Sequence, residues 1–419
     1  MTKLIIKGGK RLEGKIRVAG SKNAVLPLIC ASLLISGRTI LKNVPQISDV
    51  EVMLEILKLM GAEIERDDSM VIIDTKNVNY VDLVNPLISK LRASILFLGP
   101  ILFKFKKIKM SLPGGDIIGA RPITTHLEAL KTLGAEIEIK NGIIEGEFKK
   151  LKSTEVILKE VSVTASEVAL MASALVADKP IQLKLLALEP HVQSLEKFIQ
   201  KLGYRVKGIG THFVKIEKSK NLKKEVVFEV PNDYIEAATF LALGAATKSK
   251  IIIENVPLTD LDSVFLTAKE MNVNFVIKGN SLIIKPAKLR GTKIQIGYFP
   301  KFPTDAQPPF GVLATQAEGV TLIHDWMYEN RFSYLNELNL MGASTELLDP
   351  HRAIIIGPTP LQGKEVKSLD IRAGISLVIA GLVAQGETII HEAEKIDRGY
   401  EKIEERLKNL GADITRILD

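Results

Sequence analysis

Along this chain of 419 residues one pattern of apolar and polar positions returns six times. A helical stretch closes on a Met/Leu-Gly-Ala-type turn and runs directly into a short strand. The junctions are Met60-Gly61-Ala62-Glu63-Ile64, Leu133-Gly134-Ala135-Glu136-Ile137, Leu202-Gly203-Tyr204-Arg205-Val206, Met271-Asn272-Val273-Asn274-Phe275, Met341-Gly342-Ala343-Ser344 and Leu410-Gly411-Ala412-Asp413-Ile414. From Met60 to Leu410 the steps are 73, 69, 69, 70 and 69 residues, which marks internal repetition. Gly61, Gly134, Gly342 and Gly411 supply the left-handed residue that ends a helix, Gly203 before Tyr204 keeps the same stop, and Asn272 can adopt it.

Each unit opens with a second pattern: a polar entry, a helix of small and aliphatic residues, a turn, and a β-branched strand. In the first unit this predicts a helix from Ser21 to Leu34, a turn at Gly37 and a strand through Thr39-Ile40-Leu41. In the last it predicts a helix from Ile371 to Ala384, a turn at Gly386 and a strand through Thr388-Ile389-Ile390. These helices are apolar nearly all round and are expected to be buried. The second helices, such as Glu51 to Met60 and Tyr400 to Leu410, carry charge on one face and are expected outside. The fold class is therefore α/β, with two domains each of three repeated βαβαββ-like units packed around buried helices.

Length agrees with this reading, since one core rarely grows past about 250–300 residues. The formal net charge of +7 is spread over scattered lysines, and the run Lys104 to Lys109 reads as a solvated strand edge. With aromatics at 5 % and one Trp, there is no stacking platform for nucleic acid, so no nucleic-acid partner is expected. The one cysteine, Cys30, sits in an apolar run and reads as a buried thiol, with no intramolecular disulfide to form. No secretory h-region and no apolar stretch of the ~18 residues that span a bilayer is visible, so a soluble cytoplasmic protein with no membrane partner is expected.

Ionic residues recur where the buried helices begin. Lys22, Arg92, Asp233, Asp305 and Arg372 are separated by 70, 141, 72 and 67 residues, so they occupy related places in five units. Helix starts expose unpaired N–H groups and partial positive charge, and added cations would make a strong anion site. Asp233 also suits plain helix capping. Arginine opposes the dipole at this end, which favours a ligand role for Arg92 and Arg372. Two loops add candidates: Leu112 to Pro122, with a glycine pair, Asp116 and Arg121, and Ile396 to Tyr400, where Asp397 could cap the following helix. The six histidines form no metal-ligand spacing, and no metal or cofactor is expected. Acid–base chemistry on an anionic substrate is the reading that remains.

The segments Gly20 to Ala24, Leu91 to Ser94, Leu112 to Pro122, Phe302 to Asp305, Glu329 to Phe332, Asp370 to Ala373 and Ile396 to Tyr400 resemble those of the enolpyruvyl transferases. Ser21-Lys22-Asn23 resembles the UDP-N-acetylglucosamine branch of that family, where the shikimate-phosphate branch would have Ser-Lys-Ser. The resemblance implies an inside-out α/β barrel in each domain, with residues 22–229 in one and residues 1–21 plus 230–419 in the other, and a site in the cleft between them. It implies phosphoenolpyruvate and UDP-N-acetylglucosamine as substrates, addition and elimination through a tetrahedral intermediate, and a first committed step in peptidoglycan precursor synthesis. A monomer or weak homo-oligomer is expected. Lys22, Arg121 and Arg398 would hold phosphoenolpyruvate, with Arg92, Arg331 and Arg372 completing the cationic cleft. Asn23 would orient the sugar and Asp305 would accept its hydroxyl proton. Arg92, Arg121, Pro122, Ile123, Thr124, Ser162, Val163 and Thr164 would line the nucleotide sugar.

Three positions depart from the family pattern. Asp116 stands where most members have the loop cysteine that protonates the enol methylene, which implies a carboxylic general acid and resistance to fosfomycin. Thr124 replaces a common aspartate, and Thr164 replaces a glycine beside the diphosphate. A transferase using another hydroxyl acceptor, and a catalytically silent relative that keeps the cleft, are the competing readings.

Overall fold

The computed structural model describes residues 2–115, 118–219 and 221–418. All six junctions turn left-handed: φ is +93° at Gly61, +117° at Gly134, +108° at Gly203, +58° at Asn272, +93° at Gly342 and +91° at Gly411. The conformation that glycine and asparagine adopt at least cost thus ends the second helix of every repeat.

Within each repeat an inner helix and an outer helix flank one small sheet. The inner helices are Lys22–Ala31, Leu98–Phe105, Val163–Val176, Tyr234–Ala246, Gln307–Thr315 and Ile371–Val383. Every residue of Tyr234–Ala246 and of Gln307–Thr315 is buried. Small side chains allow this close packing, and each buried large aliphatic side chain contributes roughly 1.5–3 kcal/mol. The outer helices are Ser48–Leu59, Thr124–Leu133, Pro190–Lys201, Asp262–Glu270, Tyr334–Leu340 and Ile403–Lys408. The last is shorter than the expected Tyr400 to Leu410, because Tyr400 is fully buried and Lys402 turns left-handed at φ 41°.

The third and fifth repeats are contiguous βαβαββ units. In the third, Glu155–Ile157 runs parallel to Ile181–Lys184, which pairs antiparallel with Phe213–Glu217, and Arg205–Lys207 forms the edge. Other repeats borrow strands. Glu225–Glu229 leads into the inner helix of the fourth repeat but pairs in parallel with Arg38–Lys42 of the first. Glu13–Arg17 leads into the inner helix of the first but pairs in parallel with Lys250–Glu254 of the fourth. The sixth sheet is completed by Thr2–Lys7, which lies between Glu387–His391 and Asp413–Leu418. In the second repeat the corresponding parallel strand is reduced to a single bridge between Leu83 and Met110.

Two units follow from this packing. One comprises Gly20–Gly115 with Arg121–Pro231, and the other comprises Met1–Ala19 and Asn232–Asp419. Ala19 marks the edge of the latter: its N–H donates to Glu236 at 2.7 Å and its carbonyl accepts from the Asp233 N–H at 2.9 Å. Ser21 marks the edge of the former, donating to the Pro231 carbonyl at 2.7 Å. The loop tip at 118–120 groups with the Asn232–Asp419 unit rather than with the loop's own flanks. The reason is local bonding: Ile118 accepts from the Asn330 N–H at 3.1 Å, and the Ala120 N–H donates to Glu329 at 3.2 Å.

The lysine run departs from the expected strand edge. Lys104 lies in the last turn of Leu98–Phe105 and points inward, its ammonium donating to the carbonyls of Leu33 at 2.9 Å and Ile35 at 3.1 Å. Burial lowers its pKa to about 8. Only from Lys107 onward does the run form a strand, with Lys109 paired to Glu145 at 3.0 Å.

Candidate active site

The Asn232–Asp419 unit holds Asp233, Asp305 and Arg372 at the starts of the fourth, fifth and sixth inner helices. Asp305 lies in the 3-10 turn Thr304–Ala306 that precedes Gln307–Thr315. One carboxylate oxygen accepts from Arg331 and the other from Arg372 Nη2 at 3.0 Å. The two arginine side chains are only 2 % and 3 % exposed, whereas that of Asp305 is 28 % exposed. The acid is therefore an open carboxylate fixed from behind by two buried cations. Arg331 also donates from Nε to the Thr304 carbonyl at 3.3 Å. Burial works against the charge of Arg372, but Tyr400, Asp305 and Asp233 outweigh it and keep the guanidinium protonated.

Asp370 caps the sixth inner helix, accepting from the N–H groups of Arg372 at 2.7 Å and Ala373 at 3.1 Å. Arg372 can thus sit where the dipole disfavours a cation. Asp233 is likewise a cap, accepting from Ile235 at 2.8 Å and Glu236 at 3.2 Å, and burial raises its pKa while Arg372 opposes the rise. Asp325 accepts from the Thr304 hydroxyl at 2.6 Å and is raised by burial. Asp397 caps nothing; it takes a two-pronged bond from Arg416 at 2.8 and 2.9 Å. Arg398 ends the 3-10 helix Ala393–Arg398 and is half-buried.

In the Gly20–Pro231 unit, Ser21 caps the first inner helix and Lys22 is its first residue, followed by half-buried Asn23. The Lys22 ammonium meets Asp49 at 2.8 Å, with side chains 10 % and 6 % exposed. A second group gathers around Arg92, which opens the 3-10 segment Arg92–Phe97. Its guanidinium donates to the carbonyls of Arg121 and, at 3.3 Å, Pro122. Gly115 has φ +114°, and a Cβ there would stand 2.9 Å from Arg92 Cβ and 3.2 Å from Arg121 Nη2. The glycine pair is therefore a close approach of the loop to two cations as well as a turn. Ile123 is buried and Thr124, the first residue of its outer helix, is exposed. Ser162, Val163 and Thr164 are half-buried at the start of the third inner helix. The Thr164 hydroxyl bonds His126 Nε2 at 2.8 Å. Burial, with Arg92 assisting, pushes His126 down to about 3, so the ring is neutral.

The structure thus brings Asp305, Arg331 and Arg372 together, and Arg92 with Arg121 and Pro122, while Lys22 is held by Asp49. Asp116 lies outside the described residues. Sequence reasoning missed Asp49, His126, Asp325 and Tyr400. Asp49 sits in the first turn of an outer helix, where an acid reads simply as a partner for the dipole.

Among the described residues no helix is long and apolar enough to cross a membrane. A family model described as EPSP synthase (3-phosphoshikimate 1-carboxyvinyltransferase) matches residues 6–407. The chain belongs to the EPSP synthase family of enolpyruvyl transferases. Curated relatives of this enolpyruvyl transferase run its full length. UDP-N-acetylglucosamine 1-carboxyvinyltransferase of Campylobacter hominis is 41 % identical over 416 residues, covering 99 % of both chains. The protein of that name from Desulforapulum autotrophicum is 38 % identical over 418 residues, covering 100 % of both. Among solved structures, the enolpyruvyl transferase NikO from Streptomyces tendae matches with a TM-score of 0.90 at 23 % identity, covering 99 % of each chain. EPSP synthase from Acinetobacter baumannii matches with a TM-score of 0.76 at 21 % identity over 100 % of each chain. At these identities the two structures bear on the fold, which agrees with the α/β repeat architecture read from the sequence.

Proposed function

We propose that this enolpyruvyl transferase moves the enolpyruvyl group of phosphoenolpyruvate to the 3′-hydroxyl of UDP-N-acetylglucosamine and releases phosphate. The observation that carries the reading is Asp305, a partly exposed carboxylate held by two buried guanidiniums. The full-length relatives near 40 % identity support the nucleotide sugar as acceptor. The reaction belongs to peptidoglycan precursor synthesis in the cytoplasm.

Asp305 takes the proton of the sugar hydroxyl as its oxygen bonds to C2 of the enolpyruvyl group. Asp116 delivers a proton to C3, which becomes a methyl group, and a tetrahedral phosphorylated intermediate results. Loss of a C3 proton and cleavage of the C2–O bond to phosphate restore the double bond. Lys22, Arg121 and Arg398 hold the phosphate and carboxylate, with Arg92, Arg331 and Arg372 adding positive potential. Arginine suits this work because its planar fork pairs with phosphate and carboxylate through two bonds. Fixed cations favour the charge that develops during transfer without reorganising. Asn23 orients the sugar, and the segments at 121–124 and 162–164 receive the nucleotide.

The test is phosphate release from phosphoenolpyruvate with and without UDP-N-acetylglucosamine. Sugar-dependent release is expected in the wild type, with losses on the order of 10²–10⁴-fold in Asp305→Asn and Asp116→Ala. Fosfomycin is expected to leave the wild type active and to inactivate Asp116→Cys. Folded wild-type protein that releases no phosphate would overturn the assignment.

A further inference from the structure

Tyr400 is fully buried, and its hydroxyl lies 3.0 Å from Arg372 Nη1 and 2.9 Å from Thr239 Oγ1. Counting protons gives the direction of each bond. A guanidinium only donates, so the tyrosine oxygen accepts from Arg372. Thr239 gives its single hydroxyl proton to the Ile235 carbonyl at 2.9 Å, so it accepts the proton of Tyr400. The result is a one-way chain from Arg372 through Tyr400 and Thr239 to the backbone of Tyr234–Ala246.

This chain ties together the three inner helices of its unit. Arg372 belongs to the sixth repeat and Thr239 to the fourth, while Arg372 Nη2 donates to Asp305 at the head of the fifth. Arg372 Nε is buried and has no hydrogen-bond partner among the described residues. The angle of the guanidinium is therefore set by the Tyr400 hydroxyl on one side, Asp305 on the other, and the tyrosine ring 5.4 Å beneath. Burial raises the Tyr400 pKa, so the hydroxyl keeps its proton.

We infer that Tyr400 is a positioning residue for the transfer reaction, holding Arg372 at the angle from which it fixes and charges the Asp305 carboxylate. The inference rests on the proposed role of Asp305. Other charged groups surround this centre: Arg331 and Asp325 from the fifth repeat, Asp370 and Arg406 from the sixth, and Asp233 and Glu236 from the fourth. Among the described residues none of these charged groups bonds the tyrosine oxygen, so removing it breaks the bonds to Arg372 and Thr239 only.

Tyr400→Phe deletes one oxygen and keeps the ring. We expect kcat to fall about tenfold with both KM values changed less than about threefold, the signature of an interaction realised in the transition state. The acid limb of the kcat profile should move to higher pH, because a loosened Arg372 favours the ionised carboxylate less. Thr239→Val should move both quantities the same way, and Thr239→Ser should restore them. Should Tyr400→Phe fail to fold, the two Thr239 variants decide the matter by the same readouts. A lower melting temperature with kcat and the acid limb unchanged would make the hydroxyl a structural bond and overturn the inference. A wild type without turnover would sink the functional proposal instead. The positioning role would then be read from the Asp305 titration by 13C NMR, assigned with Asp305→Asn. A midpoint that rises in Tyr400→Phe supports it, and an unmoved midpoint overturns it.

Discussion

The ammonium of Lys22 and the carboxylate of Asp49 meet at 2.8 Å with both side chains buried. Each stands in the first turn of its helix, one inner and one outer, so the pair joins two elements of the first repeat. Removing one member breaks a buried ion pair on one side, which costs about 3–5 kcal/mol, more than any surface pair contributes. Asp49→Ala is therefore expected to lose about 3 kcal/mol in urea unfolding, as a buried pair broken on one side does. Asp49→Leu combined with Lys22→Met should recover most of that loss, at the expense of activity. A single mutant as stable as the wild type would refute the pairing.

Glu196, on the outer helix Pro190–Lys201, provides a pH dependence of stability. Burial raises its pKa from 4.5 to about 7, against the opposing bond from the Gly210 N–H at 2.9 Å. A raised folded-state value means the native protein binds the extra proton between these limits. Stability from this group is present below pH 4.5 and is lost as pH rises through about 7. Glu196→Gln should gain about 1–2 kcal/mol at pH 8 and little at pH 4, after discounting for partial solvation. Equal gains at both pH values would show that the effect is packing.

Thr164 stands where a glycine was expected beside the nucleotide, yet its hydroxyl is engaged by His126 at 2.8 Å. That bond directs the oxygen toward the buried His126 ring. Thr164→Gly should thus leave the KM for UDP-N-acetylglucosamine within about threefold and cost about 1–2 kcal/mol through the lost bond and added backbone freedom. A tenfold drop in KM would show instead that the threonine obstructs the sugar nucleotide.

The repeats were legible because their signals are local. A left-handed residue after each outer helix and an all-apolar inner helix leave marks within a few positions of Gly61 or Tyr234. The exchange of Glu13–Arg17 and Glu225–Glu229 left none, since either strand would pair equally well by pattern with its own repeat. Lys104 was misread for a related reason. The helix stops at Phe105 and Lys106 turns left-handed, so one lysine run straddles two elements with different faces. Arg372 and Asp305 could be singled out by spacing, because a charge at an apolar helix start is conspicuous. Tyr400 and Asp49 could not, for their importance lies in what they bond across the core.

The place of Thr2–Lys7 in the sixth sheet has a consequence for how the molecule comes into being. Ribosomes make this strand long before its neighbours at Glu387–His391 and Asp413–Leu418, which emerge hundreds of residues later. The strand must wait for them, with its apolar positions Leu4 and Ile6 needing cover, until those residues have been translated. Closing so long a loop is a slow, entropy-limited event. The Gly20–Pro231 unit has its strands within reach much sooner, so it is free to assemble while the remainder is still being synthesised.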